Sequence, residues 1–208
     1  MQKIDIPKRS VYRLSVYQRC LQRFLEEGIE TVSSEDLASA AGVKPPQLRK
    51  DLGYVGQFGT RGLGYGVELL SSAIAGVMGH SALQPVVMIG VGNLGTALLR
   101  YAGFRKEGFE IIASFDAEPE RVKANHGQLG VPVLNVDGLK DYIEEHEVRV
   151  AIIAVPQTAG QQVADTLVSA GVQAILNFSP AVLNVPDHVV VNHVDLAAEL
   201  SSLGFFVS

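Results

Sequence analysis

A glycine-rich loop between a predicted strand and a predicted helix has the spacing best suited to ligand chemistry in this sequence. In the run VVMIGVGNLGTALLRYAG, β-branched apolar residues lead into Gly90, Gly92 and Gly95, in the order Gly-x-Gly-x-x-Gly. The first glycine permits a tight turn, the second lets a pyrophosphate approach the backbone, and the third lets helix and strand pack closely. Amide groups at the helix start then face the phosphates. The predicted ligands of a dinucleotide are therefore the loop residues Gly90, Val91, Gly92, Asn93, Leu94 and Gly95.

An acidic residue, Asp116, ends the next predicted strand, FEIIASFD, 21 positions after Gly95. A carboxylate at this place accepts hydrogen bonds from the adenosine ribose and repels a 2′-phosphate. The pattern therefore favours NAD(H) over NADP(H). The alternative is a structural strand–turn–helix unit that carries an incidental aspartate.

Two further loops follow predicted strands, so we expect them at the same edge of the sheet as the glycine loop. The first contains Val155 and Pro156, and the second contains Asn177 and Phe178. Both loops are apolar, and such a surface accepts the neutral reduced nicotinamide more readily than the cationic oxidised ring. We predict these four residues as cofactor ligands and a preference for NADH over NAD⁺.

The front of the chain carries a helix-turn-helix pattern. Ser33 or Ser34 can cap a short helix in SSEDLASAAGV, a glycine permits the turn, and prolines open a second helix in PPQLRKDL. That second helix is predicted to expose Gln47, Arg49 and Lys50, whose side chains can pair with adenine, guanine and phosphate. The alternative is a plain helical hairpin with a solvated basic face.

A glycine-rich stretch, GYVGQFGTRGLGYG, follows directly and contains six glycines and three aromatic residues. This composition predicts a β-hairpin with Thr60 and Arg61 at its tip. A hairpin after a helix-turn-helix is a wing, and an arginine at its tip suits a narrow minor groove. The alternative is a flexible loop with a solvated arginine.

The elements that must position these residues predict an α/β chain with three parts. Residues 1–80 form a winged-helix DNA-binding domain with a connecting helix. Residues 81–193 alternate strands and helices, which is typical of a mostly parallel Rossmann sheet that binds a dinucleotide. Residues 194–208 form a helix capped by Asp195 and end on Phe-Phe-Val. Such an apolar end must be buried against other protein surface. We favour a dimerising helix over a helix that docks on its own domain.

Composition and charge exclude several other classes. The chain of 208 residues is 47% hydrophobic and 19% charged, which is typical of a globular protein. A single cysteine excludes an internal disulfide framework, and we predict no metal site. No apolar stretch reaches the roughly 18 residues of a membrane helix, and the charged start lacks a secretory signal, so we expect a cytoplasmic protein. Residues 1–66 carry a net charge of +3 and the rest −8, which suits an anion-binding front.

A dehydrogenase is the main alternative to a regulator. Such an enzyme adds a substrate domain and an acid or base beside the nicotinamide, but the predicted parts use nearly the whole chain. Only His188 and His193, of five histidines, lie near the last predicted strand. No nucleophile motif is present, so we predict no catalytic residues and a protein that is not an enzyme.

Taken together, these stretches resemble the redox-sensing transcriptional repressor family called Rex. The resemblance covers essentially the whole chain and rests on QLRKDLGYVGQFGTRGLGYGV, IGVGNLGTAL, FDAEPE and VDLAAEL. It implies a homodimer with a swapped C-terminal helix that binds double-stranded operator DNA and is released by NADH, with NAD⁺ competing. It also implies that Tyr101 lies near the nicotinamide and that Arg19 pairs with Asp195 in the DNA-bound form.

Overall fold

The computed structural model describes residues 6–60, 63–79 and 83–207. The chain divides into two compact units, Met1–Ala82 and Leu83–Ser208, each with its own hydrophobic core. The division lies close to the predicted boundary at residue 80. Within the described residues, no helix is both long enough and apolar enough to cross a membrane.

The described residues of the N-terminal unit form four helices and three short strands. In chain order they are α1 (Lys8–Glu26), β1 (Thr31–Val32), α2 (Ser34–Ala40), α3 (Pro45–Leu52), β2 (Gly59–Thr60), β3 (Gly64–Gly66) and α4 (Val67–Met78). The strands form an antiparallel sheet in the order β1-β3-β2. This is the predicted winged-helix arrangement.

The first helix, α1, forms the base of this unit. Leu14, Tyr17 and Leu21 recur at three- and four-residue spacing and are fully buried, as the apolar stripe predicts. Leu25 continues the same spacing after Leu21 but is exposed, because Phe24 takes the buried position of the last turn.

The helix-turn-helix forms as the sequence predicts. The hydroxyl of Ser33 accepts a hydrogen bond from the amide of Asp36 at 3.0 Å, so Ser33 rather than Ser34 is the cap of α2. Gly42 adopts φ +66° in the turn. Pro45 occupies the first position of α3, where a missing amide hydrogen costs no hydrogen bond.

The wing is the hairpin of β2 and β3. Tyr65 packs into the core of the unit, and Gly64 has φ +84° with the backbone of Val32 where a β-carbon would lie. Only glycine fits there. Thr60 is exposed at the end of β2, and the predicted tip residue Arg61 lies outside the described residues.

The described residues of the C-terminal unit form six strands and six α-helices. They are β4 (Gln84–Ile89), α5 (Asn93–Leu99), α6 (Gly103–Lys106), β5 (Phe109–Asp116), α7 (Pro119–His126), β6 (Val133–Asn135), α8 (Leu139–Glu145), β7 (Val150–Ile153), α9 (Gln157–Ser169), β8 (Ala174–Asn177), β9 (Val190–His193) and α10 (Leu196–Gly204). All strand pairs are parallel, in the order β6-β5-β4-β7-β8-β9.

This strand order is that of a dinucleotide-binding Rossmann sheet. The direction in which the chain adds successive strands to the sheet reverses between β4 and β7. Such sheets bind their ligands at this point. The central strands are buried on both faces, with Val87 and Ala151 fully buried, which explains their continuous apolar runs.

Helical periodicity after the glycine loop predicts one helix over 93–105, but this segment forms two helices, α5 and α6. The amide of Tyr101 bonds to the carbonyl of Leu98 at 3.0 Å, so the helix tightens and ends after Leu99. The ring of Tyr101 then occupies the space that a β-carbon on Gly103 would need. The sequence shows no proline at this break, which is why helical periodicity alone extended the prediction across it.

Candidate functional site

The glycine loop lies at the carboxyl end of β4, at the reversal point of the sheet, and turns into α5. Gly90 adopts φ +94°, and a β-carbon there would lie 2.6 Å from the carbonyl oxygen of Ala154. A β-carbon on Gly95 would collide with the carbonyl oxygen of Gly90. Both glycines are therefore required by the protein's own packing.

Gly92 differs, because no heavy atom lies within 4 Å of the position that its β-carbon would take. Its φ of −76° is accessible to any residue. Packing within the protein therefore does not require a glycine at this position. A ligand that touches the backbone at this residue supplies the reason.

A cavity of about 860 Å³ opens in front of this loop, within the range of small-molecule sites. It is lined by three strand ends and parts of α7, α8 and α9, which contribute Ile89, Gly90, Val91, Gly92, Asn93, Leu94, Phe115, Asp116, Ala117, Glu118, Arg121, Val136, Asp137, Leu139, Ala154, Val155, Pro156, Ala159, Gln162, Val163 and Thr166. The predicted ligands Gly90 to Leu94, Asp116, Val155 and Pro156 therefore meet at one cavity.

Asp116 joins the glycine loop to the end of β5. Its Oδ2 accepts a hydrogen bond from the amide of Val91 at 2.8 Å, and its Oδ1 accepts one from the amide of Glu118 at 3.0 Å. The carboxylate is thereby held at the cavity wall. It can accept hydrogen bonds from a sugar and it places a negative charge where a 2′-phosphate would lie.

Besides Gly95, which packs against the carbonyl of Gly90, three predicted ligands do not line this cavity. Tyr101 is 59% exposed and packs edge-on against Phe104, with ring centroids 5.2 Å apart. Phe178 packs against the other face of the sheet with Met88 and Ile152.

Asn177 is the third. It is fully buried, and its side-chain nitrogen donates to the carbonyls of Ser179 at 3.1 Å and Ala181 at 2.9 Å. Its Oδ1 accepts from the amide of Ser179 at 3.0 Å. Its amide therefore holds the turn after β8, and neither Asn177 nor Phe178 lines this cavity, so their contact with a cofactor stays a prediction.

Sequence reasoning missed Arg121, which lines the cavity. Its Nε lies 3.3 Å from Oε2 of Glu118, so an acidic partner balances its charge beside Asp116. Its place in the first turn of α7, five positions after Asp116, is a signal that could have been used.

A second candidate site is the exposed face of α3. Arg49 and Lys50 are exposed, as predicted. Arg49 donates from Nη1 to the hydroxyl of Ser34 at 2.8 Å and lies 3.5 Å from Oε1 of Glu35. Gln47 corrects the prediction: it is half-buried, and its Nε2 donates to Oδ1 of Asp51 at 3.1 Å.

Asp51 is a buried, hydrogen-bonded carboxylate next to this face, and sequence reasoning did not single it out. It is fully buried between α3 and α1. Arg13 donates from Nε to Oδ2 at 2.6 Å and from Nη2 to Oδ1 at 2.7 Å, and the hydroxyl of Tyr17 donates to Oδ2 at 2.8 Å. Burial opposes ionisation of Asp51, but the hydrogen bonds from Arg13 and Tyr17 outweigh it and lower its pKa. The position of an aspartate between the core residues Leu48 and Leu52 was the available signal.

The two residues of the implied switch pair lie in different units. Arg19 is on the exposed face of α1. Asp195 caps α10, as predicted, since its Oδ1 accepts from the amides of Ala197 and Ala198 at 3.0 Å. The apolar side chains of α10 and the residues after it are exposed, namely Leu196, Leu200, Leu203, Phe205, Phe206 and Val207.

Comparison with known proteins finds relatives for both units. Residues 5–53 match the family model described as "Putative DNA-binding protein N-terminus", and residues 82–181 match that of a CoA binding domain. The redox-sensing transcriptional repressor Rex of Desulfitobacterium hafniense is 47% identical over 100% of this chain and 98% of its own length. The Rex protein of Streptomyces coelicolor is 48% identical over 96% of this chain and 77% of its own.

Solved structures give the same result over nearly the whole chain. RSP in complex with β-NAD⁺ and operator DNA has a TM-score of 0.88 and 33% identity, covering 97% of this chain and 92% of RSP. RSP in complex with β-NADH has a TM-score of 0.84 and 31% identity, covering 98% and 94%. RSP is a Rex-family repressor.

Proposed function

Because this chain belongs to the Rex family of redox-sensing transcriptional repressors, we propose that it represses transcription until NADH releases it from its operator. Its N-terminal unit binds double-stranded operator DNA and its C-terminal unit binds NADH and NAD⁺. Rex proteins are repressors rather than enzymes. The observation that carries the proposal is the cavity in front of Gly92 in a chain whose other unit presents Arg49 and Lys50 on α3.

The geometry supports a division of labour within the cavity. The amides at the start of α5 and the open side of Gly92 face the pyrophosphate, and Asp116 accepts the adenosine ribose. Ala154, Val155 and Pro156 offer an apolar wall to the nicotinamide. The neutral reduced ring loses less hydration on such a wall than the cationic oxidised ring, so NADH binds more tightly than NAD⁺.

Release from DNA follows from a change in the dimer. Two winged units span one operator only when their α3 helices keep the half-site spacing. NADH shifts the dimer towards a conformation that loses this spacing, in which Arg19 and Asp195 no longer pair. Moving the population from 1:99 to 99:1 needs roughly 10⁴-fold tighter binding to one conformation.

A repressor acts where the DNA is, so we place the protein in the cytoplasm.

An operator titration tests this function. A duplex selected by the protein from a randomised library is bound, and NADH, NAD⁺ or both together are added in separate arms while fluorescence anisotropy is followed. NADH is expected to release the duplex and NAD⁺ to oppose that release. A complex that persists in saturating NADH refutes the proposal.

Arg49→Ala is expected to weaken operator binding about 10-fold or more, since a bidentate arginine contact with guanine is lost. NADH affinity is expected to stay the same. The control is Lys140→Ala, which removes one positive charge from the exposed face of α8. Equal operator affinity for the wild type and Arg49→Ala contradicts the assignment of α3.

Asp116→Ala is expected to reduce NADH affinity about 10-fold, because the ribose loses its acceptor and the amide of Val91 loses its partner. Operator binding without cofactor is expected to be unchanged. Calorimetry measures the affinity, and Asp141→Ala on the exposed face of α8 is the control with the same change of charge.

Leu200→Glu is expected to convert a homodimer into monomers, because it places a charge on the apolar face of α10. Leu200 is 71% exposed within one chain, and such a face needs a cover. Analytical ultracentrifugation measures the mass, with Ser201→Glu on the same helix as the control. A wild-type protein that sediments as a monomer contradicts the dimer.

A further inference from the structure

Asp51 holds the side chain of Gln47 as well as joining α3 to α1. Gln47 lies one turn before Asp51 on α3, and its Nε2 is 3.1 Å from Oδ1 of the carboxylate. An ionised carboxylate only accepts hydrogen bonds. The nitrogen of the Gln47 amide must therefore face Asp51, and its Oε1 must face away.

The carboxylate that imposes this orientation is itself fixed. Arg13 binds both of its oxygens, and Tyr17 binds one of them. Arg13 also donates to the hydroxyl of Ser10 at 3.1 Å. A flipped amide would place Oε1 of Gln47 against a buried, ionised oxygen that cannot turn away.

We propose that Asp51 is a positioning residue that makes Gln47 select adenine in the operator. This inference rests on the proposed function, in which α3 enters the major groove. With its orientation fixed, the amide offers Oε1 to the N6 amino group of adenine and its second Nε2 hydrogen to N7. Thymine and guanine present O4 and O6 to Oε1 and are rejected, because two acceptors meet.

Atomic substitutions in the DNA test the contact with adenine. Each adenine of the selected duplex is replaced in turn by purine, which lacks the N6 amino group, or by 7-deazaadenine, which lacks N7. At one adenine in each half-site, both analogues are expected to weaken wild-type binding about 10-fold. Gln47→Ala is expected to bind the original duplex more weakly and to be insensitive to both analogues at that adenine.

The possible results distinguish a failure of this inference from a failure of the proposed function. A wild-type protein that selects no sequence from the library refutes the proposed function. Sequence-specific binding with the same analogue pattern in the wild type and Gln47→Ala refutes only the role of Gln47.

Asp51→Asn tests the positioning role. An asparagine presents either an oxygen or a nitrogen to Gln47, so both orientations of its amide become accessible. The ratio of affinities for the adenine and purine duplexes is expected to fall from about 10 to about 2. This ratio is unaffected by a general loss of folded protein. A variant that keeps the full ratio contradicts the proposal.

If Asp51→Asn does not fold, a measurement on the wild type tests whether the Gln47 amide has a fixed orientation. The side-chain amide protons of Gln47, assigned by their absence in Gln47→Ala, are compared by NMR with those of exposed Gln57. The Gln47 amide proton that is hydrogen-bonded to Asp51 is expected to exchange with solvent at least about 10-fold more slowly than the side-chain amide protons of Gln57. Equal exchange overturns the fixed orientation.

Discussion

Gly92→Val is expected to abolish the binding of NADH and NAD⁺ while the C-terminal unit stays folded. A β-carbon at this position would have no protein atom within 4 Å outside the neighbouring residues, and the backbone already has a negative φ. The added methyl groups instead occupy the space in front of the amides of α5, where the pyrophosphate must approach. Loss of those contacts is expected to weaken NADH binding by about 100-fold or more.

Calorimetry with NADH and thermal unfolding of the same sample check both halves of this expectation. Gly76→Val, on an exposed face of α4, adds the same side chain in the N-terminal unit. Gly95→Ala is a useful contrast, because its β-carbon collides with the carbonyl of Gly90 and should lower thermal stability. If Gly92→Val binds NADH like the wild type, the loop does not hold the pyrophosphate.

Arg13→Ala is expected to lower the free energy of unfolding of the N-terminal unit by about 3 kcal/mol at pH 7. The substitution leaves the fully buried carboxylate of Asp51 without the guanidinium that binds both of its oxygens. Burial then dominates, and the pKa of Asp51 rises instead of falling. Arg9→Ala, on the exposed face of α1, removes the same charge and is expected to have little effect.

The pH dependence of this loss identifies its cause. In the wild type the pKa of folded Asp51 is lowered, so its contribution to stability is present above the unfolded value of about 4 and is lost as the pH falls through the folded value. In Arg13→Ala, folding favours the protonated acid. The gap between the two proteins should therefore narrow as the pH falls towards about 4. Urea denaturation followed by circular dichroism at both pH values measures it, and a constant gap would assign the loss to packing.

Features that depend on a few neighbouring residues were predictable from the sequence. The need for glycine at Gly90 and Gly95 follows from backbone sterics at one turn, and a serine cap of α2, at Ser33 or Ser34, follows from a hydrogen bond that spans three residues. Asp116 was predictable because the ends of neighbouring parallel strands meet at one edge of the sheet.

Features that depend on distant contacts were not predictable. Asp51 meets Arg13 and Tyr17, which are 38 and 34 positions away along the chain, and no local pattern encodes that meeting. Asn177 ends a strand at the correct edge of the sheet, yet its side-chain amide is hydrogen-bonded to the carbonyls of its own turn. Its position was correct, but the hydrogen bonds available to its side chain decided its role.

The bond from the Val91 amide to Asp116 has a consequence for the speed of the response. It ties the start of the glycine loop to the end of β5 through a contact within the protein itself. A coenzyme that arrives at a loop already in place meets no ordering step, and such pre-organisation removes an entropic cost from association. The fraction of repressor with bound coenzyme can therefore follow rapid changes in coenzyme concentration. The rate of this response is limited by association and dissociation of the coenzyme rather than by rearrangement of the glycine loop.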